Sequence, residues 1–294
     1  MKLTLHSIVQ LALLVLLSCI LPACSNTSGS GDSGKKADRI LREACEHIKT
    51  VASARMTLSV DFDSQMEGLR QQMTSQYSFA MQRPNRLAMR LTDGIMGMTV
   101  VSDGNHLYTL MPVIENRYTV EQAPRVLNDL VGGWEESAVM DPMSPLGWAA
   151  FLLLEDPYTD ILRTMDRLEY VGKKDLDGTA CHVLSLNGRH SNWTMWIQTG
   201  DEPLLRKLVP DISTLYDEVA DDFPRAQQLK MELLLRYDNW EVNGDIPDEV
   251  FTFVPPADAV EVESLYDDFD ELAQERSAKG QVPAEQHGLE EADK

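Results

Sequence analysis

The residue with the clearest chemistry is Cys24. It ends the tetrapeptide Leu21-Pro22-Ala23-Cys24, directly after an almost wholly aliphatic run from Ile8 to Ile20. A short apolar core ending in a small residue is a signal-peptidase pattern, and where the next residue is cysteine the thiol carries the lipid. Lys2 and His6 supply a short basic start. The run of about 13 residues is too short to span a bilayer stably. Residues 1–23 are therefore expected to be a lipoprotein signal peptide, and Cys24 a diacylated N-terminus that takes up palmitate. An ordinary secretory signal with a chance cysteine is the alternative; in both cases the chain leaves the cytoplasm.

The remaining chemistry is sparse. Cys19 leaves with the leader, so Cys45 and Cys181 remain in an oxidising compartment. They form one disulfide or stay as two buried thiols, and spacing alone does not decide, because a bridge needs two side chains within bonding distance. His47, His106, His182 and His190 fall on different elements, with His182 and His190 flanking one hairpin, and no third ligand stands nearby in sequence. Asp217, Glu218, Asp221 and Asp222 cluster, but at spacings that fit no calcium loop, and they read as a solvated acidic loop. There is no P-loop, no GxGxxG, no GxSxG and no HExxH. The sequence thus points to no catalytic residue, no metal and no cofactor, and to a binding protein rather than an enzyme.

The chain has 294 residues and a formal net charge of −21. Such acidity repels nucleic acid and anionic head groups, so membrane attachment would come from the acyl chains on Cys24. Ser25 after the cysteine, with no aspartate, points to the periplasmic face of the outer membrane in a host that has one. The outer face of the cytoplasmic membrane is the other possibility.

The elements that position side chains follow from periodicity. Residues 24–36 are Ser/Gly-rich and read as a flexible tether. From Ala37 to Val51, apolar residues recur at helical spacing. The period then becomes two, in Met56 to Phe62, Tyr77 to Met81, Leu87 to Leu91 and Met96 to Val100, with further strands near His106 to Met111 and Arg117 to Glu121. Asp93-Gly94, Asp103-Gly104, Asp177-Gly178 and Asn187-Gly188 are turn signals. The stretch 123–162 loses the alternation. It predicts a helix from Pro124 through Leu130, a very apolar helix at Leu146 to Leu154 and a helical turn after Pro157, together a candidate lid. Strands resume through Leu168 to Lys174, Ala180 to Leu186, Trp193 to Gln198, Pro203 to Pro210 and Leu229 to Tyr237. Beyond the domain, which ends near residue 260, Val262, Leu265, Phe269 and Leu272 predict a short amphipathic helix in an acidic tail, with disorder from Ser277.

Methionine is conspicuous on the apolar phase of these strands: Met56, Met81, Met89, Met96, Met98, Met195 and Met231. Flexible, polarizable thioethers suit a surface that fits variable apolar shapes. On composition alone, a methionine-rich packed core is the better account.

Several segments together resemble a known family. They are Arg83-Pro84-Asn85-Arg86-Leu87, Ser102-Asp103-Gly104 with Leu107-Tyr108, Tyr118 to Pro124 and Asp177 to His182. They continue with Asn192 to Ile197, Gly200-Asp201 and Pro203 to Lys207, then Trp240-Glu241-Val242 and Ile246-Pro247, and close with Val250 to Pro256. Their order resembles the LolA/LolB-like superfamily of lipoprotein carriers, and within it a family of predicted periplasmic proteins of unknown function. The resemblance covers residues 37–260. It implies an α+β fold, an incomplete antiparallel β-barrel with helices plugging or lidding its concave side, and an acyl-chain-binding hollow. It carries over no catalytic residue.

The expected hollow is lined by Met56, Leu58, Val60, Tyr77, Phe79, Met89, Met98, Met195, Met231 and Leu233, with Trp148 and Phe151 covering its mouth. Arg90, Lys230 and Glu232, on the opposite phase, are expected to face water. The implied partner is a lipid or a lipoprotein acyl chain, and an envelope protein in the alternative reading of a sensor or interaction module.

Overall fold

The computed structural model describes residues 29–66, 69–94, 97–112, 116–131, 145–188, 192–211 and 230–265. The alternating segments form β1 (Ser53–Met66), β2 (Leu69–Gln82), β3 (Arg86–Asp93), β4 (Thr99–Ser102), β5 (His106–Met111) and β6 (Arg117–Gln122). After the helical insert follow β7 (Met165–Leu176), β8 (Thr179–Gly188), β9 (Asn192–Gln198), β10 (Leu205–Asp211), β11 (Lys230–Val242) and β12 (Val260–Glu261). The helices are α1 (Gly29–Lys49), α2 (Pro145–Leu153) and α3 (Pro157–Thr164).

All strands join one sheet in the order β12-β6-β5-β4-β3-β2-β1-β11-β10-β9-β8-β7. The chain meanders outward from β1 to β6, then returns from the far edge, so that β11 pairs along β1 from Ala54↔Val242 to Gln65↔Lys230. Every pairing is antiparallel except β12 on β6. Among the described residues, β7 and β12 are edges and the sheet does not close. This is the α+β half-barrel that the family resemblance implies. Among the same residues, no helix is long and apolar enough to cross a membrane.

Side chains alternate between faces. The inner face carries rows of paired apolar residues, such as Met56↔Phe79↔Met89↔Val100 and Tyr237↔Leu58↔Tyr77↔Leu91. The insert between β6 and β7 drops α2 and α3 onto this face, and α1 joins them through Ile40, Leu41, Ala44, Cys45 and Ile48. The residues after β11 cross the outer face. There Ile246 and Phe251 bury against Ala80 and Ala88, and Phe253 stacks on Tyr108 at 4.8 Å.

Four expectations need correction. The helix does not begin at Ala37: α1 starts at Gly29, so residues 29–36 of the expected tether are helical. The reason is tertiary. The Ser33 hydroxyl accepts the Tyr170 N–H (3.0 Å) and donates to the Tyr170 carbonyl (3.2 Å), which pins this turn to the edge of β7. The chain does not reverse at Asn187-Gly188, because both lie in β8 and Asn187 pairs with Asn192. The Asp177-Gly178 turn is as expected, with positive φ at both residues. In place of a helix from Pro124 to Leu130 there is one 3-10 turn, Leu127–Leu130. Finally, Arg90 stands on the outer face as expected but is only half exposed. It donates to the carbonyls of Thr252 (2.8 Å) and Val250 (3.3 Å), because the segment after β11 covers the outer face there. Glu232 is exposed, while the Lys230 side chain is outside the described residues. Of the expected tail helix only its beginning, with buried Leu265, is described.

Candidate functional site

The expected hollow is one continuous core. Met56, Leu58, Val60, Tyr77, Phe79, Met89, Met195, Leu233, Trp148 and Phe151 all belong to a single apolar cluster, and Met98 packs against it half-buried. Strand alternation brings the sheet residues together on the inner phase, Met98 lies just before β4, and Trp148 and Phe151 come from α2. Met231 pairs with Ser64 at the far end of β11, but its side chain is outside the described residues, as are Met96, Cys24, His190 and the acidic residues 217–222.

Among the described residues, the hollow is filled by the helices packed into it. Trp148 and Phe151 are buried in the same cluster as the sheet residues, each about 8% exposed. The reason is the composition of α2, Pro-Leu-Gly-Trp-Ala-Ala-Phe-Leu-Leu, which is apolar on every side and so buries all round. Among the described residues, an apolar cavity of about 20 Å³ lies between α2 and the second half of the sheet. It is bounded by Trp148 and Phe151 on one side and by Met165, Leu186, Met195 and Leu208 on the other. That volume holds about one water and no acyl chain.

Polar anchors hold α2 in place. The Tyr237 hydroxyl donates to the Trp148 carbonyl at 2.8 Å, fully buried, and burial pushes this phenol well above the ordinary tyrosine range. Tyr77, pushed up to about 12 by burial, meets Trp148 edge-on, with centroids 5.7 Å apart. Arg83 donates through Nη2 to the Leu152 carbonyl (3.0 Å), an acceptor that the end of α2 leaves over, and through Nε to the Val51 carbonyl (3.2 Å), two residues beyond the end of α1. Its guanidinium is held below its usual range by desolvation, with Glu155 opposing. The Asn128 amide oxygen accepts the Glu155 N–H at 3.1 Å just beyond α2. Of these anchors sequence reasoning assigned only Tyr77, as a lining residue, although Arg83 stands in the Arg-Pro-Asn-Arg-Leu motif and Tyr237 closes the alternation of β11.

Cys45 and Cys181 are both buried and free, so the bridge held open as a possibility is not formed. Cys45 lies on α1 in the inner core. Cys181 stands one residue out of phase with Leu184 and Leu186, the inner-face residues of β8, so the sheet separates the two sulfurs. Burial raises both thiols, Cys45 to well beyond the ordinary range.

His182 sits between β7 and α1, with Nδ1 3.3 Å from the Tyr170 hydroxyl. Burial lowers its pKa first, and Lys36, Lys173 and Arg39 lower it further. His182 and His47 border one groove beside α1. Among the described residues, no group of three or more His, Cys, Asp or Glu is placed to hold a metal ion.

An uncharacterized protein of Methanocaldococcus jannaschii is 23% identical over 290 residues, 95% of this chain and 69% of that one. Among solved structures, lipoprotein LppX of Mycobacterium tuberculosis aligns at 11% identity and a TM-score of 0.39, over 73% of this chain and 99% of that one. A LolA superfamily protein of Nitrosomonas europaea aligns at 13% and 0.30, over 74% and 97%. MucB in complex with MucA from Pseudomonas aeruginosa aligns at 13% and 0.36, over 74% of this chain and 61% of that one. The family model DUF2092, described as a predicted periplasmic protein, matches residues 37–265, nearly the whole described fold, and the chain belongs to that family.

Proposed function

We propose that this protein is a cell-envelope lipoprotein, anchored through Cys24, that binds a lipid, an acyl chain or another amphiphile in the concavity of its half-barrel. It acts as a binding protein and not as an enzyme. One observation carries the reading: the concavity is plugged by a nine-residue helix that is apolar on every side, over a residual apolar cavity lined by methionines and aromatics. An apolar tail that takes the place of α2 keeps the hollow dry, and the displaced helix, apolar on every side, then needs the tail or another apolar surface to cover it. The methionines adapt to the incoming shape.

The test has two parts. Native mass spectrometry of the purified chain should reveal a bound amphiphile, and a fatty-acid probe sensitive to its environment should bind the delipidated protein and be displaced by lipid. No retained lipid together with no probe binding would end this reading. Cys24→Ala should move the protein from membranes to the soluble fraction and abolish palmitate labelling; an unchanged distribution would refute the anchor.

A second reading has its own support. The hollow is filled by α1, α2 and α3, as suits a module that contacts a protein partner and needs no ligand. A partner that co-purifies in stoichiometric amount, with an empty and probe-silent hollow, would favour it.

A further inference from the structure

We infer that residues 29–36 are a latch that passes between a docked helix and a free tether, and so sets how far the domain reaches from its N-terminal attachment. The first observation is a conflict between local sequence and structure. The stretch reads Gly-Ser-Gly-Asp-Ser-Gly-Lys-Lys and is helical. Three of its eight residues are glycine, and each glycine disfavours helix by roughly five-fold relative to alanine. Nothing in the stretch supplies an apolar stripe until Ala37.

The second observation is what holds it. Ser33 makes two hydrogen bonds to the backbone of Tyr170, one in each direction, as a neighbouring strand would. Lys36 places its ammonium 3.7 Å from the centre of the Tyr170 ring. The helix backbone lies close to the edge strand, such that a Cβ on Gly34 would stand 3.4 Å from the Leu168 carbonyl. From Ala37 onward, α1 is held differently, by six fully or nearly buried apolar side chains in the core. The helix therefore has two halves, one fixed by the core and one held on a sheet edge by a hydroxyl, a cation and a ring. Edge strands are commonly covered to prevent unwanted pairing, and this cover is a removable one.

The consequence is reach. Eight residues span about 12 Å as helix and up to about 27 Å as extended chain. Undocking adds roughly 15 Å between the domain and residue 28. The added reach from the membrane rests on the anchoring of Cys24 proposed above, whereas the latch itself does not, and the two fail separately.

Hydrogen–deuterium exchange on the full chain reads the latch. Amides of residues 33–36 should exchange on the order of 100-fold faster than those of 40–48, because opening this half leaves the other intact. Ser33→Ala should speed their exchange further, by about threefold after allowing for alanine's better helix propensity. Gly34→Ala should slow it by about fivefold, since a methyl at 3.4 Å is accommodated. Neither variant should alter residues 40–48. Equal protection along the whole helix, or variant effects that spread equally into 40–48, would overturn the latch. Cys24→Ala reports on the anchor alone.

Discussion

Replacing Tyr237 by phenylalanine removes one oxygen from the core and separates the plug from the fold. In the parent, the Tyr237 hydroxyl donates to the Trp148 carbonyl at 2.8 Å, wholly shielded from water. Loss of such a bond costs about 1 kcal/mol net, the Trp148 carbonyl keeping only what the helix itself offers. In a domain of this size that is a fall in Tm of about 2–4 °C. If binding requires α2 to leave, the bond is absent from the liganded state, and the same 1 kcal/mol comes off the cost of opening. Apparent affinity for a fatty-acid probe should then rise by about fivefold while stability falls. The opposite signs make the assay decisive. Probe titration and thermal unfolding are run on parent and Tyr237→Phe side by side. Affinity that falls along with stability, or stays unchanged while Tm drops, would show that the hollow does not open by displacing α2.

Met98→Asp puts a carboxylate at the half-buried rim of the core. It should weaken probe binding by at least tenfold by charging the surface the tail must cross, and unchanged probe affinity would sink the carrier reading. Thiol titration of unreduced protein should find Cys45 and Cys181 silent when folded and both reactive in denaturant, because burial disfavours both thiolates; protein with no free thiol in denaturant would contradict the separation of the two by the sheet. The lowered pKa of His182 gives a signed prediction. The folded state binds the proton less readily than the unfolded chain, so the stabilising effect is complete above about 6.5 and is lost as pH falls below it, flattening once the folded pKa is passed. Burial, Lys36, Lys173 and Arg39 act in this direction and Glu43 against it. Protection of the contact between α1 and β7 should decline from pH 7.5 to pH 5 in the parent and not in His182→Asn, and equal slopes would refute the assignment.

The sequence by itself determined the strands, the inner phase and the membership of the core. Those are local properties: a period of two assigns each residue a face, and Met56, Leu58, Val60, Phe79 and Met89 found the predicted face because alternation leaves no other choice. It also located α2, which is too apolar to lie on a surface. Three things only the tertiary structure decided. Whether the hollow is open depends on the depth to which α2 and α1 sink into it, a matter of packing between segments about 100 residues apart in the chain. The fates of Cys45 and Cys181 depend on which side of a sheet each sulfur meets. The helicity of residues 29–36 runs against their own preference and comes from Ser33 and Lys36 meeting the backbone and ring of Tyr170, more than 130 residues away. The same holds for Arg90, whose strand phase was legible but whose cover was not, because the segment that covers it arrives from the other end of the domain. Side-chain alternation is written in neighbours; plugging, pairing and docking are written in distances that the sequence does not contain.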